Sequence, residues 1–104
     1  IACIELHTFS SLQYNFIPQY KNTMNEADIA IVYYSHEVLE HKRLPALPED
    51  YVKESFGEKV QIFTDAELLK DYLAKQNYDN TNLLMMSSGN FNGIDFVDFA
   101  NKLI

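Results

Sequence analysis

The residues that could do chemistry fall in three short polar stretches, each following an apolar run. His7 and Ser10 come after Ile1–Leu6, Ser35 and His36 after Ile29–Tyr34, and Ser87, Ser88, Gly89 and Asn90 after Asn82–Met86. The last continues through Phe91 and Asn92 to Gly93. Small residues there let a backbone approach a ligand closely, and the N–H groups of a following helix start favour an anion. The same composition also suits a polar turn that needs glycine for its geometry. It is not a dinucleotide fingerprint, whose glycines follow the first strand, and it is not a phosphate-cradling loop, because no Gly-Lys-Ser or Gly-Lys-Thr is present. His7, His36 and His41 have no i, i+4 pairing and read as solvated or hydrogen-bonded histidines rather than metal ligands. A Ser-His-Asp set can be composed, but the Gly-x-Ser-x-Gly elbow that would expose such a serine is absent. Cys3 is the only cysteine, so no internal disulfide can form. Inside an apolar run it reads as a small core hydrophobe, since a reactive thiol wants an exposed, electropositive setting. The residues therefore offer a rim that could bind a ligand, with no catalytic set and no metal site.

The elements that must position this rim alternate in type. Ile1–Leu6, Ile29–Tyr34, Val60–Thr64 and Asn82–Met86 are predicted strands. Nearly continuous apolar runs of this length belong to parallel strands covered on both faces, because a half-exposed strand would alternate. Helical patterns lie between them. Thr64–Asn77 places Leu68, Leu69, Tyr72 and Leu73 on one stripe, with Thr64 and Glu67 at capping-box spacing and Asn77 as the stop. Pro48–Phe56 is a short helix, with Pro48 in the first turn and Gly57 as a left-handed end. Ile94–Ile104 closes the chain, with Ile94 and Val97 facing inward alongside Phe96, Ala100 and Ile104. Leu12–Asn25 carries Phe16, Ile17, Tyr20 and Met24 on one face, but Pro18 removes an N–H, so a kink or a helix start is predicted there. The resulting β-α-β-α-β-α-β-α order predicts an α/β fold: an open, mainly parallel, Rossmann-like sheet with right-handed crossovers and helices on both faces. Ligands of such sheets bind beyond the carboxyl ends of the strands, where the three polar stretches fall.

Composition narrows the classes further. A chain of 104 residues is one domain, able to bury roughly two thirds of its unfolded surface. Hydrophobic content of 47% against 22% charge speaks against disorder. The formal net charge is -7 and Arg43 is the only arginine, which argues against nucleic acid and anionic membrane surfaces as partners. No apolar run approaches the roughly 20 residues of a membrane span. The chain starts at Ile1 directly in an apolar run, which is neither a signal peptide nor a translation start and suggests a fragment of a longer chain. A lone cysteine suits a reducing cytoplasm.

Two segments carry a resemblance. Ile4-Glu5-Leu6-His7-Thr8-Phe9-Ser10 resembles the strand and loop of Mur ligase C-terminal domains, where a Glu or Gln, then Pro-His, an aromatic and a Ser or Thr follow one another. Leu83 to Ile94, through Met85-Met86-Ser87-Ser88-Gly89-Asn90-Phe91-Asn92-Gly93, resembles the final strand and turn of that domain. It is nearest the branch that attaches a tripeptide, whose turn reads Met-Ser, small residues, Phe, Gly, Gly. Ala27-Asp28 and Leu69–Leu73 also fit, so the similarity spans nearly the whole chain, with short motifs in matching order and spacing.

The resemblance implies the substrate-binding C-terminal domain of a three-domain cytoplasmic ligase, lacking its hinge segment. Such an enzyme uses ATP and Mg2+, held mainly by a central domain, to activate the carboxylate of UDP-N-acetylmuramate as an acyl phosphate. An incoming peptide or amino acid then attacks through its amine, in peptidoglycan recycling for the tripeptide branch. Carried over, Ser87, Ser88, Gly89 and Asn90 line the pocket for the incoming substrate, while His7 and Ser10 face the muramyl end and the nucleotide. Alanine-adding relatives carry two arginines in the first loop, at the positions of Thr8 and Ser11 here. A free carboxylate wants a guanidinium fork, so their absence favours the tripeptide branch over the L-alanine ligase. Leu6 stands where the family has proline. The alternative of another class is a receiver-like interaction module. It lacks support, because no paired acid accompanies Glu5 and no Asp ends a central strand as a phosphorylatable site requires.

Overall fold

The second apolar run forms a strand, β2 (Ala30–Tyr33), buried along its whole length. Its side chains alternate between two hydrophobic layers: Ala30 and Val32 join one, Ile31 and Tyr33 the other. This is the physical reason its run of Ala-Ile-Val-Tyr does not alternate with polar residues. The computed structural model describes residues 1–103. In chain order it contains β1 (Ala2–Glu5), a 3-10 turn (Ile17–Tyr20), β2, α1 (His36–His41), α2 (Glu49–Phe56), β3 (Gln61–Phe63), α3 (Ala66–Ala74), β4 (Leu84–Met86) and α4 (Phe96–Leu103). The four strands form one sheet in the order β3-β2-β1-β4, and every pairing is parallel. β1 and β2 pair from Ala2↔Ala30 to Glu5↔Tyr33, while Cys3 pairs with Met85 on the other side. The fold is thus the open α/β arrangement expected of the alternation. β3 and β4 are its edges, and Leu84 on β4 is exposed.

One layer packs the 3-10 turn, α1 and α2 through Ile17, Leu39, Val52 and Phe56, with Leu12 and Leu47 from the loops. The other packs α3 and α4 through Leu69, Leu73 and Phe99, with Phe91 and Ile94 from the turn after β4. Each fully buried aliphatic side chain of this kind contributes about 1.5–3 kcal/mol.

Several boundaries differ from the sequence expectations for local reasons. The strands are shorter than the apolar runs that contain them. The cap of α3 is Asp65 rather than Thr64: Asp65 is extended, and its Oδ1 accepts from the N–H of Glu67 at 2.9 Å and of Leu68 at 3.4 Å. The helix closes at Lys75, short of Asn77, and Leu68 points outward, 60% exposed. α4 starts at Phe96 because Asp95 accepts the N–H groups of Asp98 and Phe99. That phase buries Phe99 and leaves Val97 74% exposed; Phe96 and Ala100 are exposed too. The expected burial of Ile104 lies outside the described residues. Around Pro18 no kinked helix forms; of the two expectations the helix start holds, as a single 3-10 turn with Pro18 in its first positions, bracketed by further turns. α1 was not expected; Ser35 caps it by accepting the Val38 N–H, and His41 lies in its last turn, where a cation suits the helix dipole.

Candidate functional site

Strand order decides where a crevice opens. From β1 the chain steps outward through β2 to β3, and β4 then returns to the opposite side of β1. The loops leaving β1 and β4 therefore diverge, and the gap between them is the topological switch point at which such sheets bind ligands. A cavity of about 220 Å³ occupies this gap, lined by Glu5, Thr8, Ser11, Tyr20, Ser87 and Ser88 among others.

Glu5 organises the crevice. It ends β1, and its side chain is only 2% exposed. A buried carboxylate is tolerable only with partners. Here Oε1 accepts the hydroxyl of Ser87, in a short hydrogen bond, and the N–H of Phe91 at 3.0 Å. Residues 86 and 82 positions away in sequence are thereby tied to β1. Ser87 Oγ in turn accepts the Gly89 N–H at 2.7 Å. The turn is backbone-strained where it is pinned: Phe91 has φ 54° and Asn92 φ 60°, left-handed values that side chains usually avoid. Burial of the Phe91 ring, stacked on Tyr33 with centroids 5.7 Å apart, helps hold it there.

His7 lies beside this group. Its Nδ1 is 3.8 Å from Glu5 Oε2, too long for a hydrogen bond, and is a buried polar atom without a partner. Gly89 packs on the imidazole so closely that a Cβ there would sit 2.9 Å from His7 Cδ2 and 3.1 Å from Glu5 Oε1. Across the crevice, Thr8 and Ser11 spend their hydroxyls on each other: Thr8 Oγ1 donates to Ser11 Oγ at 2.9 Å and Ser11 Oγ donates to the Thr8 carbonyl at 3.0 Å. Burial raises the pKa of the Tyr20 hydroxyl above its ordinary value.

Of the residues expected to form a site, the structure brings together His7, Ser87, Ser88 and Gly89. Asn90 is close in sequence but acts as a cap, its Oδ1 accepting the Gly93 N–H at 2.9 Å. Ser10 is exposed in the first loop, its carbonyl accepting the Gln13 N–H, and is not among the crevice-lining residues. Ser35 and His36 belong to a separate cleft of about 330 Å³ at the ends of β2 and β3, which also takes Tyr33, Glu37, Asp65 and Glu67. Burial, with the charges of Glu5, Asp65 and Glu37, pushes the Tyr33 hydroxyl up to about 12. The helix-start N–H groups expected to attract an anion are used internally: Phe91 gives to Glu5, Gly93 to Asn90 Oδ1 and Ile94 to the Asn90 carbonyl.

Sequence reasoning missed Glu5 as a site residue. The signal was available, because an acid within an apolar strand predicted to be covered on both faces must find donors. Cys3 is fully buried, and desolvation, with the nearby Glu5 charge, pushes its thiol up to about 12, so it is no nucleophile. Among the described residues no group of three or more His, Cys, Asp or Glu could hold a metal ion, and no helix is long and apolar enough to cross a membrane. Comparison of the chain with protein-family models, with curated proteins and with solved structures finds no match.

Proposed function

We propose that this chain is the substrate-presenting C-terminal domain of an ATP-dependent, Mur-type cytoplasmic ligase that joins a peptide to UDP-N-acetylmuramate in peptidoglycan recycling. One observation carries the reading: the two segments that resemble the Mur ligase domain, Ile4–Ser10 and Leu83–Ile94, come together in three dimensions as the two walls of the switch-point crevice. In this role the chain binds and orients, while ATP and Mg2+ supply carboxylate activation from a neighbouring domain. The incoming amine attacks the activated carboxyl carbon, the C–N bond forms, the bond to the phosphate oxygen breaks, and inorganic phosphate leaves with the amine proton lost to solvent or a base. Ser88, which lines the crevice, would contact the incoming substrate.

The test uses the full-length product of the gene encoding this chain, with UDP-N-acetylmuramate, ATP, Mg2+ and L-alanyl-γ-D-glutamyl-diaminopimelate. The expected result is phosphate release matched by a ligated product, with Ser88→Ala raising KM for the peptide more than KM for ATP. Absence of the product with this tripeptide and with L-alanine would reject the reading.

A further inference from the structure

The turn between β4 and α4 has the small residues and backbone donors of an anion site, yet its donors already hold an anion. Glu5 Oε1 takes the Ser87 hydroxyl and the Phe91 N–H together. The neighbouring N–H groups of Gly89, Gly93 and Ile94 are spent on Ser87 and Asn90. On the facing wall Thr8 and Ser11 satisfy each other, and no lysine or arginine lines the crevice. A ligand carboxylate entering here would lose its water, meet Glu5 and find no lysine or arginine to offset it. An ammonium would meet the opposite situation, since Glu5 lines the cavity and its Oε2, whose nearest charged or titratable neighbour is His7 Nδ1 at 3.8 Å, makes no hydrogen bond among the described residues. Hydrogen bonds between ionised partners are roughly twice as strong as neutral ones, so that difference is large enough to select.

We propose that Glu5 sets the specificity of the crevice: it occupies the seat a ligand carboxylate would take, so the crevice accepts the amine end of an incoming ligand and turns its carboxylate end away. This deepens the ligase reading and rests on it only for the identity of the ligand; the preference itself is a property of the crevice. Glu5 also positions the turn, because its carboxylate is what holds Ser87 and Phe91 against β1.

The test is an amide NMR titration of this chain at constant ionic strength with two probes. Alaninamide carries an ammonium and no carboxylate; N-acetylalanine carries a carboxylate and no amine. Alaninamide is expected to shift the amides of Thr8, Ser87, Ser88 and Gly89, and N-acetylalanine is not. In Glu5→Ala the vacated donors should reverse this, with N-acetylalanine now moving Phe91 and Ser87 and the alaninamide response lost. Should Glu5→Ala not fold, Glu5→Gln keeps an acceptor while removing the charge, and the alaninamide response should fall several-fold with the turn's own chemical shifts preserved. N-acetylalanine shifting the native turn as strongly as alaninamide, or no alaninamide response at all, would overturn the proposal. Neither outcome depends on whether the full-length protein makes the ligated product, so the two readings fail separately.

Discussion

Gly89→Ala tests whether the close approach of the β4–α4 turn to β1 is a real constraint. The added Cβ would lie 2.9 Å from His7 Cδ2, 3.0 Å from His7 Cγ and 3.1 Å from Glu5 Oε1. Carbon atoms pack best at about 3.5–4.0 Å, so something must move by about 0.6 Å or more. Glu5 cannot give readily, because it is buried and tied to Ser87 and Phe91. His7, with a side chain 36% exposed, can. Overpacking typically costs about 1–3 kcal/mol, and a partly exposed ring that can swing places this variant near the lower half of that span. For a domain of this size each 1 kcal/mol lowers Tm by about 4–8 °C. Urea and thermal melts of native, Gly89→Ala, His7→Ala and the double variant would measure it. If the imidazole is the obstacle, the double variant loses less than the sum of the singles, by about 0.5 kcal/mol or more. A neutral Gly89→Ala, or additive singles, would refute the steric reasoning.

Three other outcomes follow from the packing and the titrating groups. Asp65→Ala should cost about 1 kcal/mol in a urea melt, because it removes the α3 cap, while Thr64→Ala should cost less; the reverse ranking would restore the capping box read from sequence. Leu69→Ala should cost about 2–5 kcal/mol and Leu68→Ala under about 0.5 kcal/mol, since one is fully buried and its neighbour 60% exposed. Stability should fall in alkali. Cys3 rises from 9.0 to about 12 and Tyr33 from 10.0 to about 12 on folding, so the unfolded chain ionises first. Their contribution is whole below pH 9 and is lost as pH climbs toward 12; a pH-independent Tm across that window would contradict it.

The sheet was legible because parallel strands buried on both faces leave unbroken apolar runs, and Ile29–Tyr34 is one. That the polar stretches share one end of the sheet was legible too, since parallel strands all point the same way; that they divide there between two clefts was not. What sequence could not show was partnership. Thr64 and Asp65 both offer a capping oxygen, and only the backbone leaving β3 decides that Asp65 reaches the helix N–H groups. Val97 and Phe99 compete for the inner face of α4, and the Asp95 cap sets the phase in favour of Phe99. Glu5 hid for a related reason: its donors, Ser87 and Phe91, are far along the chain, and no local pattern joins them.

That separation has a consequence for how the chain reaches its native state. β1 sits between partners acquired at different times, pairing Ala2 with Ala30 on one side and with Leu84 on the other. A nascent chain can assemble β1, β2 and β3 while β1 still shows a bare inner edge and Glu5 remains hydrated. Only when β4 emerges does that edge close, and the same event delivers the donors that make burial of Glu5 tolerable. Long-range parallel pairing of this kind is slow, because loop-closure entropy is lost before contacts compensate. Loop-closure entropy therefore predicts that β4 docks late, and until it does the exposed edge of β1 is the place where two unfinished chains would find each other.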